Sequence, residues 1–204
     1  MNSSIKAIIF DFGGVVINWD PRRVFRKFFP EGEQAMENFM REIGFSEWNL
    51  RQDEGYPFEQ AVHDLSAQFP QYAHIIRAYD VDWEESITGI IPETVELLRR
   101  LKEAGYRLYG LTNWNHAKFS LVRNKYEFFS LFEEIIVSGE VKLIKPDPAI
   151  YRLLMERIHL RPRDCLMIDD SAGNVTASQN IGFRTIHYTS PDQLEAELHR
   201  LDLL

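Results

Sequence analysis

The chain has 204 residues, 45% hydrophobic and 26% charged, values of an ordinary globular protein able to bury a full core and carry one insertion. A formal net charge of -8 argues against nucleic acid as a partner, because binding there rests on basic patches. No apolar run reaches membrane-spanning length, the start Met1-Asn2-Ser3-Ser4 lacks a secretory signal, and the single Cys165 can form no internal disulfide, so the expectation is a cytoplasmic protein with no membrane partner.

The first predicted element is a strand over 6–10, short, apolar and β-branched, as buried parallel strands are. Asp11 follows at its C-terminal end, where open α/β sheets bind ligands. Gly13 and Gly14 come next and let the backbone turn tightly and approach a ligand. A carboxylate in this place is a nucleophile, a metal ligand or both; the alternative is a solvated aspartate in a turn.

Residues 18–88 show no strand pattern. Val24, Phe25, Phe28 and Phe29 form i,i+4 pairs; Met36, Phe39, Met40 and Ile43 then recur with helical spacing, as do Phe58, Ala61, Val62, Leu65 and Phe69. Pro21, Pro30, Pro57 and Pro70 punctuate them. The expected organisation is a helical unit over 18–88, inserted just after the first strand into a core formed by 1–17 and 89–204.

From Ile90 helices and strands alternate. Pro92 opens a helix carrying Val95, Leu98 and Leu101, and Gly105 ends it. A strand over 107–112 ends in Thr112-Asn113, and a helix is expected over 117–126. A strand over 135–137 ends in Ser138-Gly139. Asp147-Pro148 starts a helix whose apolar face is Ile150, Leu153, Leu154 and Ile158. A strand over 165–168 places Cys165 in the core and ends in Asp169-Asp170. Gly182 closes the next helix, 184–187 is a strand, and Ser190-Pro191 opens the last helix. The alternation predicts an α/β fold with a doubly wound, mainly parallel sheet. Asp11, Thr112-Asn113, Ser138 and Asp169-Asp170 then converge on one sheet edge, which points to an active site.

The segments Phe10-Asp11-Phe12-Gly13-Gly14-Val15, Leu111-Thr112-Asn113, Lys145-Pro146 and Asp169-Asp170-Ser171-Ala172-Gly173-Asn174 resemble, in order and spacing, the four motifs of the haloacid dehalogenase superfamily. The branch resembled is the one with a helical C1-type cap after the first strand. The resemblance implies a Rossmann-like core and, for most members, Mg2+-dependent hydrolysis of a small phosphorylated substrate through an aspartyl phosphate. It implies Asp11 as nucleophile. It implies Asp11, Asp170 and the Gly13 backbone carbonyl as metal ligands, with Asp169 beside the metal through water. Lys145 would offset charge on the nucleophile and the phosphoryl group. Thr112 and Asn113, with nearby backbone N–H groups, would hold the phosphate, and Asn174 would orient the acidic loop.

Gly13 departs from the usual phosphatase pattern, which has a second aspartate there as general acid and base. Such proton transfer is worth roughly 10²–10⁴-fold. Three readings stay open. The first is a phosphatase in which water, the substrate or a cap residue moves the proton. It resembles sugar-1-phosphate phosphatases with glycine at this position and would favour activated esters. The second is a metal-independent 2-haloacid dehalogenase; the third is a phosphate-binding protein without turnover. Asp169-Asp170 weighs against the second, since carboxylates beside Asp11 repel unless a cation lies between them. The retained nucleophile and lysine weigh against the third.

Arg51-Gln52-Asp53-Glu54-Gly55 resembles the cap loop that reaches over the site, with Asp53 and Glu54 as acceptors for sugar hydroxyls. Trp19 and Asp20 are expected to line the pocket, Trp114 to line it or pack in the core, and Trp48 to pack. His116 is expected at the surface, and Gly89 is a candidate hinge. The pattern sets no oligomeric state.

Overall fold

Five parallel strands form the central sheet of the computed structural model, which describes residues 5–204; Met1–Ser4, with the expected lack of a secretory signal, lies outside the described residues. The chain runs β1 (Ala7–Phe10), β2 (Ile17–Trp19), α1 (Arg22–Phe25), α2 (Glu33–Glu42), α3 (Phe45–Asp53), α4 (Phe58–Gln68), α5 (Ala73–Val81) and β3 (Ile87–Ile90). It continues with α6 (Pro92–Glu103), β4 (Arg107–Thr112), α7 (His116–Arg123), β5 (Glu134–Val137), α8 (Ser138–Val141) and α9 (Pro148–Ile158). It ends with β6 (Cys165–Asp169), α10 (Ala172–Ile181), β7 (Arg184–His187) and α11 (Pro191–Arg200).

The sheet order is β5-β4-β1-β6-β7, so β1 is central and all strand C-termini share one edge. This is the doubly wound α/β core that the alternating pattern predicts, and the Rossmann-like core that the resemblance implies. Alternate residues of β1 enter different cores: Ile8 and Phe10 pack with Val95, Leu98, Leu194 and Leu198, whereas Ala7 and Ile9 pack with Ile150, Tyr151 and Leu154. Burial on both faces explains why β1 reads as a continuous apolar run. Cys165 is fully buried, and that burial pushes its thiol up to about 12, so it serves as a core residue. Phe12 packs edge-on against Phe129 and Phe132, with ring centroids 5.1 Å away in each case. Gly110 on β4 makes room for it, since a Cβ there would lie 2.5 Å from the Phe12 ring.

The segment between β2 and β3 is helical, and its centre is aromatic. Phe25, Phe45 and Trp48 surround the fully buried Tyr79, with centroid distances of 5.2–5.7 Å. Trp48 therefore packs as expected, and its indole N–H donates to the Ala61 carbonyl at 3.0 Å.

Two strand segments depart from the sequence expectation. Ile17–Trp19 and Ile87–Ile90 pair antiparallel where 18–88 shows no strand pattern. These strands have 3 and 4 residues, and Gly89 interrupts one with a φ of +119°. That is too short for a period-2 signal. The helix expected over 117–126 stops at Arg123. Among the described residues, no helix is long and apolar enough to cross a membrane.

Candidate active site

Strand register brings the first carboxylates together. Phe10 is level with Gly110 on one side and Ile168 on the other, so Asp11 leaves the sheet beside Leu111 and Asp169. The Asp11 N–H donates to the Ile168 carbonyl at 2.9 Å, and Asp11 Oδ1 accepts the Phe12 N–H at 2.7 Å. Lys145 enters from the loop before α9. Its side chain is fully buried, with Nζ 3.1 Å from Asp11 Oδ1 and 2.7 Å from Asp169 Oδ2.

Both ends of Lys145 are fixed. Asn113 Nδ2 donates to the Lys145 carbonyl and Asn113 Oδ1 accepts the Lys145 N–H, each at 2.9 Å. Asp169 is also fully engaged. Its Oδ1 accepts from the Ser171 N–H at 2.9 Å and from Asn174 Nδ2 at 3.0 Å. Its Oδ2 takes Lys145 Nζ and a 3.2 Å contact from the same Asn174 amide. Thr112 lies buried at the end of β4.

Charge in this cluster is unbalanced. Asp11, Asp169 and Asp170 each offer an oxygen within 4.8 Å of the others and face one ammonium. Burial pushes the Asp11 carboxyl up to about 7; Asp169 and Asp170 add to this, and Lys145 and the Phe12 N–H only partly offset it. Burial and then Asp169 raise Asp170 above the usual carboxylate range. Burial alone would lower Lys145, but the adjoining Asp11 and Asp169 outweigh it and hold the ammonium above its usual value.

A hard divalent cation fits this donor set, which is all oxygen. The backbone is shaped for it. Gly14 has a φ of +73°, and a Cβ there would lie 2.3 Å from Asp170 Oδ2, so the carboxylate occupies space that only glycine leaves. Gly13 is half-buried and bridges to Ile17. Asp11 and Asp170 are better placed to ligate directly than Asp169, whose oxygens are taken by protein donors.

Next to this cluster is a cavity of about 70 Å³ between the sheet edge and the helical segment. Trp19, Phe58, Trp83 and Trp114 supply its apolar walls. Gly13, Asn49, Asp53 and Lys118 contribute its polar side. Trp114 does both jobs expected of it, since it lines the cavity while packing 5.6 Å from the Phe119 ring. Asp20 is not among the lining residues; its Oδ1 accepts the Arg22 N–H at 3.1 Å. Glu54 is exposed and also outside the lining set. His116 is exposed, as expected, and pairs with Glu140 at 2.9 Å. Sequence reasoning missed Asn49, Trp83, Asn115 and Lys118. Their only signal is spacing: Asn49 and Asp53 are i,i+4 on α3, and Asn115 caps the helix whose first turns carry Lys118.

A family model described as haloacid dehalogenase-like hydrolase matches residues 5–182. The solved structure of a haloacid dehalogenase family enzyme from Bacteroides thetaiotaomicron is 25% identical to the chain. The likeness covers 91% of this chain and 94% of that one, with a TM-score of 0.74. An aspartate-to-alanine form of that enzyme, in complex with magnesium and inorganic phosphate, gives a TM-score of 0.71 over 91% and 95% of the two chains, at 25% identity. A sesquiterpene phosphatase of Aspergillus oryzae is 25% identical over 98% of each chain. A drimenol cyclase of Aspergillus calidoustus is 23% identical over 95% of this chain, which spans only 36% of that longer protein.

Proposed function

Because the chain belongs to the haloacid dehalogenase-like hydrolases, we propose that it is a Mg2+-dependent phosphatase acting on a small phosphate monoester through an aspartyl phosphate on Asp11. The observation that carries this reading is the buried Asp11–Lys145–Asp169 array with Asp170 alongside. Three carboxylates around one lysine make sense when a divalent cation and a phosphoryl group share the site, and make little sense for a metal-independent dehalogenase.

Asp11, Asp170 and the Gly13 carbonyl would hold Mg2+, with Asp169 beside it; when bound, the ion neutralises charge on the phosphoryl oxygens and the nucleophile. An Asp11 carboxylate oxygen attacks phosphorus, and the bond to the leaving oxygen breaks. Lys145, 3.1 Å from Asp11, keeps its proton and offsets the anionic charge gathered there. Asp169 and Asn113 hold Lys145 in register. Thr112, buried at the end of β4, and the backbone N–H groups after it would hold phosphate oxygens. Water then cleaves the aspartyl phosphate.

In this reading the helical segment 18–88 is the cap and 1–17 with 89–204 is the catalytic core. The aromatic walls and the Asn49, Asp53 and Lys118 side chains support a sugar phosphate as substrate, since sugars present one apolar face and a ring of hydroxyls. The test is p-nitrophenyl phosphate hydrolysis with and without Mg2+, alongside Asp11→Asn. Mg2+-dependent turnover lost in the variant is expected. Failure of the wild-type protein to turn over this ester with Mg2+ would sink the reading.

A further inference from the structure

We propose that Asp53, on the helical segment, is the proton donor and acceptor that Gly13 does not supply; this rests on the phosphatase reading above. Gly13 leaves real space, because a Cβ built there meets no atom within 4 Å. That space opens into the cavity beside Asp11, and Asp53 is the one carboxylic acid among the residues lining it.

Asp53 is fixed to the core. It ends α3, and its carbonyl accepts the Ser138 hydroxyl at the start of α8, just after β5. The neighbouring Gln52 carbonyl accepts Asn115 Nδ2 at 3.2 Å. Gly55 presses so closely on α8 that a Cβ would lie 3.1 Å from the Gly139 carbonyl. The Asp53 side chain is aligned by Asn49, whose Nδ2 donates to Oδ2 at 2.9 Å. The carboxyl is thus held on a rigid helix end docked on the catalytic edge.

The other titratable groups around it are poorly suited to the task. Lys118 lines the cavity, but its Nζ is bound to the Asp80 carboxylate at 2.7 Å and the Asp80 carbonyl at 3.0 Å. Tyr79 contacts Asn49 Oδ1 at 3.5 Å, and burial first, then Asp53, holds its phenol protonated. Glu54 is exposed, and His116 is turned to Glu140. Asp53 itself is poised. Burial raises its carboxyl to about 7, the Asn115 N–H partly offsets this, and the charge of Asp11 adds to it. A group with its pKa near the working pH both gives and takes protons well.

The steps balance. As Asp11 forms its bond to phosphorus, the P–O bond to the leaving group breaks and its electron pair goes to the leaving oxygen. The Asp53 carboxylic acid protonates that oxygen, and a neutral alcohol departs. The Asp53 carboxylate then takes a proton from water while the water oxygen attacks the aspartyl phosphate. The bond from phosphorus to Asp11 breaks, and both aspartates return to their starting state. With a donor in place the ester need not be activated, which removes the restriction that Gly13 alone implies.

The experiment compares wild type, Asp53→Asn and Asp53→Glu with Mg2+ on two kinds of ester. One is p-nitrophenyl phosphate, whose leaving group departs without a proton. The other is a panel of alkyl phosphates, glucose 6-phosphate and glycerol 2-phosphate. The expected result is wild-type turnover of both kinds. Asp53→Asn should lose about 10²-fold or more in kcat on alkyl esters and less than about tenfold on p-nitrophenyl phosphate, with part of the loss recovered in Asp53→Glu. In the wild type, kcat on alkyl esters should fall as pH rises above about 7, and that limb should be absent in Asp53→Asn. Equal losses on both ester kinds in a variant that melts cooperatively would overturn the proposal, as would no loss on either. Turnover of p-nitrophenyl phosphate but of no alkyl ester by the wild type would also overturn it while leaving the phosphatase reading intact. No wild-type turnover of any ester overturns both.

Discussion

Asn113 clamps the backbone of Lys145 by both amide ends, donating to its carbonyl and accepting its N–H at 2.9 Å each. This pair joins the end of β4 to the loop before α9, 32 residues further along the chain. Asn113 therefore acts on the site through Lys145, whatever its own N–H contributes to phosphate. Asn113→Ala strips both partners from a buried backbone unit, which costs about 1–3 kcal/mol. It also frees Nζ to drift from Asp11, and a shift of about 1 Å in a catalytic group costs around 10²-fold. Asn113→Asp keeps only the acceptor and should fall between. Steady-state kinetics on p-nitrophenyl phosphate, with thermal melts in parallel, will separate the two effects.

Gly14 and Asp170 compete for one volume. Alanine at position 14 places a methyl group 2.3 Å from the present Asp170 Oδ2, on a backbone with φ of +73°. The left-handed conformation costs roughly 1–2 kcal/mol for a residue with a Cβ. Displacement of Asp170 would remove a carboxylate from the proposed cation site. Gly14→Ala is expected to weaken Mg2+ binding by at least about tenfold in calorimetric titration without substrate, and to lower Tm by a few degrees. Mg2+ binding as tight as that of the wild type would show that Asp170 is not a ligand.

Much of this could be read before the structure. The buried parallel strands announce themselves as apolar runs, and their polar ends align because the sheet order places β1 between β4 and β6. Strand-end carboxylates are thus visible as dipeptides such as Asp169-Asp170. The pairing of β2 with β3 was not legible, because 3 and 4 residues carry no period and Asn18 and Thr88 are polar and exposed. Nor was the cavity wall. Asn49 and Lys118 lie on separate helices, α3 and α7, that look like ordinary amphipathic surface, and only the docking of α3 on Asn115 and Ser138 brings them to one cavity. Asp53 falls in the Arg51–Gly55 stretch that reads in the sequence as a loop, but it ends helix α3, where Asn49 one turn earlier aligns it; its electrostatic link to Asp11 depends on that docking.

The raised Asp53 carboxyl makes a stability prediction with a definite sign. Its folded value is about 7 against 3.8 for the free side chain, so between these the folded protein holds a proton the unfolded chain has lost. Stability therefore falls as pH rises from about 4 to 7, and the penalty is complete above that range. Asparagine cannot ionise and escapes it. With chelator present to keep the cation site empty, Asp53→Asn should melt higher than wild type at pH above about 7 and match it below 3.8. Solvent reaches this half-buried group, which reduces the gain to about 1–3 kcal/mol. Activity and stability would then move in opposite directions, as expected where a group is held in place for chemistry at a cost in free energy. A variant that melts lower at every pH would mean that Asp53 serves chiefly to hold α3.

Gly13 allows a reciprocal experiment. Its backbone is outside the positive-φ region, and a Cβ there meets nothing within 4 Å, so a side chain can be added without strain. Gly13→Asp in the wild-type background should leave Tm within a degree or two of its starting value. In the Asp53→Asn background it supplies a replacement carboxyl at the same cavity, on the core side instead of the helical segment. Alkyl phosphate turnover in the double variant should then rise at least about tenfold over Asp53→Asn alone, with little change on p-nitrophenyl phosphate. The new carboxyl lies beside Asp11 and Asp170, so excess Mg2+ must be supplied to offset the added negative charge. Recovery limited to alkyl esters would identify the deficit in Asp53→Asn as a missing proton and not as a misplaced helix. Absence of recovery, with Mg2+ binding intact by calorimetry, would mean that the proton travels by another route.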